Sequence, residues 1–174
     1  MRSLHHKNMI LVLLILCLLI FSACMQDTGL QPGDPMPPLN YINMQGQTRT
    51  LSLPGDSAAL IILFDLNCSC SARLNYLDKH INELNDIRIY LLTENCRLLQ
   101  NPASFDWQNL YGAENCIFGC IDSLDSRRVF ADKAPLCAWL FNSDGTLIRK
   151  LGKEVIISRI HRLLNRNSTK HTKG

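Results

Sequence analysis

The chain has 174 residues, of which 47% are hydrophobic and 19% are charged, and its formal net charge is +3. This length suits one domain, and the hydrophobic fraction lies near the globular average, which is enough for a sizeable core. Without Arg2 and Lys7 at the extreme N-terminus, 16 basic residues face 15 acidic ones. This near balance argues against a nucleic-acid partner, which would require a strongly basic surface.

The N-terminus has the pattern of an export signal. An apolar run from Met9 to Phe21 follows a short basic start and is shorter than the ~20 residues that span a bilayer. Small residues then directly precede Cys24. The segment Phe21-Ser22-Ala23-Cys24 resembles the lipobox of bacterial lipoproteins, which implies cleavage before Cys24 and lipid chains on Cys24. A plain signal peptide, or an uncleaved anchor, is the alternative.

A lipid anchor predicts the location and the domain plan of the chain. Two or more acyl chains hold a protein stably at a bilayer. We therefore expect a lipid-anchored, extracytoplasmic protein of the cell envelope, on the periplasmic face of the inner or outer membrane or at the cell surface. The predicted plan is a signal peptide (1–23), a proline-rich tether (24–38), one domain (39–164) and a disordered basic tail (165–174).

The first half of the domain predicts a hairpin followed by a strand-helix-strand unit. Two short extended pieces flank Gln45-Gly46-Gln47, and the apolar run from Ala58 to Phe64 predicts a strand covered on both faces. Apolar residues then recur at helical spacing: Cys70, Leu74, Leu77, Ile81 and Leu84. A second apolar strand, from Ile87 to Thr93, should pair in parallel with the first.

The second half begins irregularly and ends in a strand pair and a helix. We predict a short helix from Phe105 to Tyr111, an extended segment from Cys116 to Cys120, and a helix from Ser126 to Ala131 capped by Asp125. Asp144-Gly145 predicts a tight hairpin turn. The closing helix has its apolar face at Ile156, Ile160, Leu163 and Leu164. The whole order predicts an α/β fold with a central mixed β-sheet flanked by helices on both faces.

Several segments together carry a family likeness. These are the opening "GDPMPPL", the strand that leads into Cys68-Ser69-Cys70, and the later "APLCAWLFNSDGTLIRKLG". In this order they resemble the thioredoxin-like superfamily, in particular its membrane-anchored TlpA/ResA and redoxin group, over Gly33 to Leu164. The resemblance implies a thioredoxin-like fold in which Pro135 follows a cis bond and faces the cysteine pair.

The cysteine pair departs from the pattern of that family. One residue, Ser69, separates Cys68 from Cys70 where the family usually has two, and Asn67 precedes the pair instead of Trp. The proline-threonine-cysteine signature of the peroxidase branch is absent around Cys68. Peroxide reduction is therefore disfavoured.

The position of the pair predicts thiol chemistry without a cofactor. Both cysteines fall at the predicted start of a helix, where the dipole and unpaired N–H groups stabilise a thiolate, and Arg73 one turn on adds positive charge. Cys70 belongs to the apolar stripe and should point inward, so Cys68 is the expected attacking residue and Cys70 the resolving one. Pro135 would shape the surface that receives the substrate chain.

These residues predict a thiol-disulfide oxidoreductase. Its partners would be exported protein thiols and disulfides and a redox partner protein. The small ring of a Cys-x-Cys disulfide should be strained, which favours disulfide donation or isomerisation over strong reduction. Two alternatives remain open: a non-catalytic binding or structural module of the same fold, and soft-metal binding through Cys68, Cys70 and a third ligand.

Four further cysteines have less specific predictions. Cys96, Cys116 and Cys120 lie in the irregular region, where a structural disulfide is plausible although its pairing stays open. Cys137 alternates with Pro135 and Trp139 along the hairpin strand. For Cys137 we favour buried packing beneath the active pair over resolving chemistry.

Overall fold

A computed structural model describes residues 29–53, 55–65, 71–100, 106–131, 136–152 and 155–171. The predicted signal peptide and Cys24 lie outside these ranges. The strands are β1 (Leu39–Asn43), β2 (Thr48–Leu51), β3 (Ala58–Phe64), β4 (Ile87–Thr93), β5 (Cys116–Cys120), β6 (Leu136–Phe141) and β7 (Leu147–Gly152). The helices are α1 (Ser71–His80), which continues as a 3₁₀ turn (Ile81–Leu84), α2 (Arg97–Gln100), α3 (Gln108–Gly112), α4 (Ser123–Phe130) and α5 (Ile157–His171).

The seven strands form one mixed sheet in the order β2-β1-β5-β4-β3-β6-β7. Strands β3, β4 and β5 are mutually parallel, while β6 runs antiparallel to β3 and β1 antiparallel to β5. The predicted parallel strand-helix-strand unit is confirmed by the pairing of Ala58 with Ile87 at the start of β3 and β4. The segment from Cys116 to Cys120, predicted only as extended, is a full strand of this sheet.

Strand β3 is buried on both faces, as its continuous apolar sequence predicts. Leu60, Ile62 and Phe64 lie in one core with apolar residues of α1, α3 and α5. The intervening residues Ala59, Ile61 and Leu63 belong to a second core, which α4 covers. Successive side chains of a strand point to opposite faces, so a strand in the sheet interior needs apolar residues at every position. Helices therefore cover both faces, and the predicted α/β fold class is confirmed.

The two predicted hairpins are also present. In the second, Asn142 and Thr146 close the turn between β6 and β7 through the bond from the Asn142 amide to the Thr146 carbonyl, at 3.1 Å. Gly145 has a φ of 84°, a conformation that a residue with a side chain rarely adopts. The first hairpin joins β1 and β2, with Leu39 opposite Leu51.

The predicted cap of α4 is wrong. The helix begins at Ser123, three residues earlier than expected, and the carboxylate of Asp122 accepts the Leu124 amide hydrogen at 2.8 Å. Asp125 lies within the first turn and instead forms an ion pair with Arg128 at 2.9 Å. Two aspartates in this segment suit a cap, and the end of β5 at Cys120 places Asp122 where the helix starts.

The start and the end of α5 also differ from prediction. Ile157 is buried in place of Ile156, which is 41% exposed just before the helix. The helix continues to His171 and so includes residues 165–171 of the segment that was predicted as a tail. In the described part of the chain, no helix is both long enough and apolar enough to cross a membrane.

The last part of the predicted tether is attached to the domain. The Gly33 amide donates to the Leu147 carbonyl at 2.8 Å, and the Met36 amide donates to the Gly145 carbonyl at 2.9 Å. The side chain of Met36 is buried in the α4-side core. Residues 33–36 of the predicted tether therefore pack along the β6–β7 hairpin.

Candidate functional site

Three parallel strands end at one edge of the sheet. Because β3, β4 and β5 are parallel, their carboxyl ends at Phe64, Thr93 and Cys120 lie at the same edge. Strand β6 begins at this edge, since its first residue, Leu136, pairs with Phe64. Connections that leave the carboxyl ends of parallel strands are the usual place for functional groups in an α/β sheet.

The predicted cysteine pair and the predicted cis proline lie outside the described residues. In the sequence, Cys68 and Cys70 fall between the end of β3 at Phe64 and the start of α1 at Ser71, and Pro135 directly precedes β6. Both segments connect to the carboxyl edge. The roles of these residues remain predictions.

Arg73 and Cys137, which the sequence associates with the predicted cysteine pair, lie within the described residues. Arg73 lies in the first turn of α1 and is partly exposed. Cys137 pairs with Leu63 one residue inside the edge, and its side chain is 2% exposed. It packs in the α4-side core with Trp139 and Phe130. Cys137 is thus a core residue immediately beneath the edge that the cysteine pair adjoins in sequence.

Hydrogen bonds that the sequence pattern does not predict join helix α1 to α3 and to the residue before it. The buried carboxylate of Asp78 accepts the Leu110 amide hydrogen at 2.8 Å and the Asn109 side-chain amide hydrogen at 2.9 Å. The Trp107 indole N–H donates to the Asn75 side chain at 2.8 Å. The burial of Asp78 has no signal in the sequence, because a lone carboxylate outside the apolar stripe of a helix is ordinarily exposed to solvent.

A disulfide joins Cys96, just after β4, to Cys120, the last residue of β5. Their Cα atoms are 5.1 Å apart, which is ordinary for a disulfide. The adjacency of β4 and β5 brings the two cysteines together, with Thr93 opposite Cys120. The pairing left open by the sequence is therefore Cys96 with Cys120, at the same edge as the end of β3.

Cys116, at the opposite end of β5, is a free thiol. Burial, followed by the nearby negative charge of Asp78, raises the pKa of Cys116 from 9.0 to about 12. Burial likewise raises the pKa of Tyr111, whose ring stacks on Phe118, to about 12. A thiol with so high a pKa is almost fully protonated at neutral pH, so Cys116 is unsuited to nucleophilic exchange.

A metal centre has no support from the described ranges. Within them, no three histidine, cysteine or acidic side chains lie together as ligands would. The soft-metal alternative rests on Cys68 and Cys70, which those ranges do not include.

No protein-family model and no curated protein matches the sequence. Solved structures do match the fold. The thioredoxin domain of a thiol-disulfide oxidoreductase from Bacteroides vulgatus has a TM-score of 0.60 at 17% identity, and the match covers 79% of this chain and all of that one. An exposed lipoprotein thioredoxin from Streptococcus pneumoniae matches with a TM-score of 0.60 at 14% identity, over 75% of this chain and 99% of that one.

A third match is a peroxiredoxin-like protein from Aquifex aeolicus, with a TM-score of 0.58 at 10% identity over 78% of this chain and 88% of that one. At these identities the likeness concerns the fold and does not by itself choose among activities. All three matches cover at least three quarters of the chain, so they show the fold of the domain as a whole.

Proposed function

Since the chain has the thioredoxin-like fold, we propose that it is a thiol-disulfide oxidoreductase that acts through Cys68 and Cys70. It is anchored outside the cytoplasm by lipid on Cys24 and exchanges disulfides with exported proteins. The fold itself is common to enzymes and binding proteins, so the proposal depends on where this chain carries its cysteines.

One observation carries the proposal. The connection that contains Cys68 and Cys70 joins the end of β3 to the start of α1, and β3 lies inside the sheet between β4 and β6. Pro135 directly precedes β6, whose first residue pairs with Phe64 at the end of β3. In the sequence, the cysteine pair and the proline thus fall in the connection that follows β3 and the connection that precedes β6, and these two strands are neighbours in the sheet. In the resembling family, these two connections hold the catalytic pair and the cis proline.

The chemistry is a pair of thiolate displacements. In the reducing direction, the Cys68 thiolate attacks one sulfur of a substrate disulfide, and the other substrate sulfur leaves as a thiolate and takes a proton. The Cys70 thiolate then attacks Cys68 in this mixed disulfide and releases the second substrate thiol. Two electrons pass from the cysteine pair to the substrate, and Cys68–Cys70 becomes the disulfide. The oxidising direction is the same sequence in reverse.

The residues around the pair have defined parts in this scheme. Helix α1 starts at Ser71 and is ten residues long, so its N-terminal N–H groups and dipole favour a thiolate at its start. Arg73 in the first turn adds positive charge. The contacts of Asp78 and Asn75 with α3 hold this helix against its neighbour, and we assign them a positioning role.

An extracytoplasmic location suits the disulfide chemistry. The Cys96–Cys120 disulfide within the domain is of a kind that persists in oxidising compartments and is rare in the cytosol. The lipobox-like segment that ends at Cys24 supplies the anchor. One of the structural neighbours is described as an exposed lipoprotein thioredoxin, which supports the same location for this chain.

Trapping of the intermediate tests the proposal. In Cys70→Ala the resolving thiol is missing, so the reduced protein should accumulate a mixed disulfide with an oxidised model peptide, and peptide mapping should place it on Cys68. Cys68→Ala is the matched control and should trap at least ~10-fold less. Cys116→Ala should behave as wild type, because its thiol is protonated. Equal, negligible trapping in all variants would overturn the enzymatic proposal.

The alternative is a non-catalytic binding module with the same fold. The single residue between Cys68 and Cys70 is the observation that favours it, since the family usually has two. It predicts that neither cysteine changes its redox state over a wide range of thiol-disulfide buffers. A stoichiometric metal that survives purification and is lost in Cys68→Ala would favour the soft-metal alternative instead.

A further inference from the structure

The Cys96–Cys120 disulfide is asymmetric in its exposure. Cys96 is exposed in the loop that follows β4, whereas the Cys120 side chain is 3% exposed at the end of β5. Cys96 is therefore the more accessible of the two half-cystines to a thiolate in solution. Which sulfur can be reached largely decides how a disulfide is opened. The buried sulfur of Cys120 would be the leaving group.

A groove of about 340 Å³ runs beside this disulfide, and both cysteines line it. Ile42 of β1, which pairs with Cys120, forms part of its wall and is 44% exposed. Tyr41 and Ile121 also contribute to the lining. The groove thus offers apolar contact beside Cys96, as a docked polypeptide segment requires.

The groove is acidic. Glu94, Asp122 and Asp125 line it, and no basic side chain is among the described residues that do. Asp122 is engaged by the Leu124 amide and Asp125 by Arg128, whereas Glu94 is exposed beside Cys96. This charge repels an acidic thiol such as glutathione and attracts a thiol that is flanked by cationic residues.

From these features we propose that Cys96–Cys120 is a second thiol-exchange site, and that its substrate is a cysteine in a cationic polypeptide segment docked in the acidic groove. The substrate thiolate attacks the Cys96 sulfur, forming a substrate–Cys96 disulfide and releasing Cys120 as a thiolate that takes a proton. A second thiol of the substrate then attacks its own sulfur in this bond, which gives the substrate disulfide and the Cys96 thiol. Two electrons pass from the substrate to the protein.

The second site does not depend on the first. Strand β4 lies between β5 and β3, so Cys120 is two strands, or about 10 Å, from the end of β3 along the edge. Neither Cys68 nor Cys70 takes part in the steps above. The two proposals can therefore fail separately, and the experiment is done in a protein that lacks the first pair.

The test uses the oxidised Cys68→Ser/Cys70→Ser protein and two peptide thiols, Lys-Gly-Cys-Gly-Lys and Glu-Gly-Cys-Gly-Glu, each with blocked ends. After acid quenching, peptide mapping should find the adduct on Cys96 and not on Cys120. Per unit of peptide thiolate, the lysine peptide should react at least ~10-fold faster at low ionic strength. The ratio of the lysine-peptide rate to the glutamate-peptide rate should fall toward one at high salt, because salt screens the charges of the groove.

A charge variant with a matched control links the preference to the groove. Glu94→Gln should reduce the lysine-over-glutamate ratio at least ~2-fold, whereas Glu114→Gln, an exposed change near the far end of β5, should leave it unchanged. Mapping of the Cys96 adduct in wild-type protein keeps the test valid if the double variant fails to fold. A disulfide that stays intact in the folded protein would show a purely structural role and overturn the proposal. Equal rates for both peptides would overturn it as well, because they would show that the groove does not select a cationic thiol.

Discussion

The carboxylate of Asp78 in α1 accepts the backbone amide hydrogen of Leu110 in α3 at 2.8 Å, across 32 positions of the sequence. Leu110 lies in the first turn of α3, where amide hydrogens have no partner within the helix. Asp78 therefore satisfies the start of one helix from the middle of another. This contact fixes α3 against the helix that begins directly after Cys70.

Removal of this carboxylate should destabilise the fold. We expect Asp78→Ala to lower the free energy of unfolding by about 2 kcal/mol, because a buried amide loses a charged acceptor. Urea unfolding followed by circular dichroism measures the change. Asp86→Ala, an exposed aspartate after the 3₁₀ turn, is the control and should change it by less than about 0.5 kcal/mol. Equal effects of the two substitutions would argue against the bridging role.

Gly119 should be irreplaceable for steric reasons. A Cβ at this position would overlap the ring of Tyr41 and lie 3.0 Å from a methyl group of Leu92. Because both neighbours are buried, Gly119→Ala should cost about 1 to 3 kcal/mol of stability through overpacking. Gly112→Ala is the matched control, since nothing lies within 4 Å of its Cβ position. Thermal unfolding of the two variants should separate them; a native midpoint for Gly119→Ala would contradict the packing described.

The raised pKa of the partly buried Cys116 thiol predicts a loss of stability in alkali. Its pKa is about 12 in the folded chain against 9.0 as the ordinary value, so the folded state retains a proton that the unfolded state loses above pH 9. Stability from this group is complete below pH 9 and falls as the pH rises toward 12. The slope cannot exceed about 1.4 kcal/mol per pH unit for one proton.

Cys116→Ala removes this titration. Urea unfolding at pH 8 to 10.5 should show a steeper decline for wild type than for the variant. Tyr111 has a pKa that is also raised to about 12. Its ionisation should still lower the stability of both proteins above pH 10. Parallel curves below pH 10 would mean that the Cys116 thiol ionises as readily in the folded chain as in the unfolded one.

Local patterns allowed much of the fold to be predicted from the sequence. The apolar run from Ala58 to Phe64 specifies a strand buried on both faces, and Asp144-Gly145 specifies a turn that needs a positive φ. Both signals lie within a few adjacent residues. Such local signals do not determine the residue at which a helix begins. Asp122 and Asp125 are equally suitable as caps, and only the end of β5 decides between them.

Features that depend on the order of strands were not predictable. Cys96 could pair with Cys120 only because β4 and β5 are neighbours in the sheet, and three nearby cysteines in the sequence do not carry that information. The burial of Asp78 has the same origin, since its partner Leu110 comes from another element. The strand and the helix on either side of the predicted Cys68 and Cys70 pair, β3 and α1, follow from the strand-helix pattern alone, which is local.

The redox equilibrium of Cys68 and Cys70 tests the central claim most directly. Wild-type protein is equilibrated in thiol-disulfide buffers of graded potential, quenched in acid and alkylated, and each cysteine is assigned by mass spectrometry. We predict that Cys68 and Cys70 convert together in one two-electron transition, with a midpoint less negative than the ~−270 mV of thioredoxin because of the small ring. Unchanged labelling of both cysteines across the whole range would contradict the proposed activity.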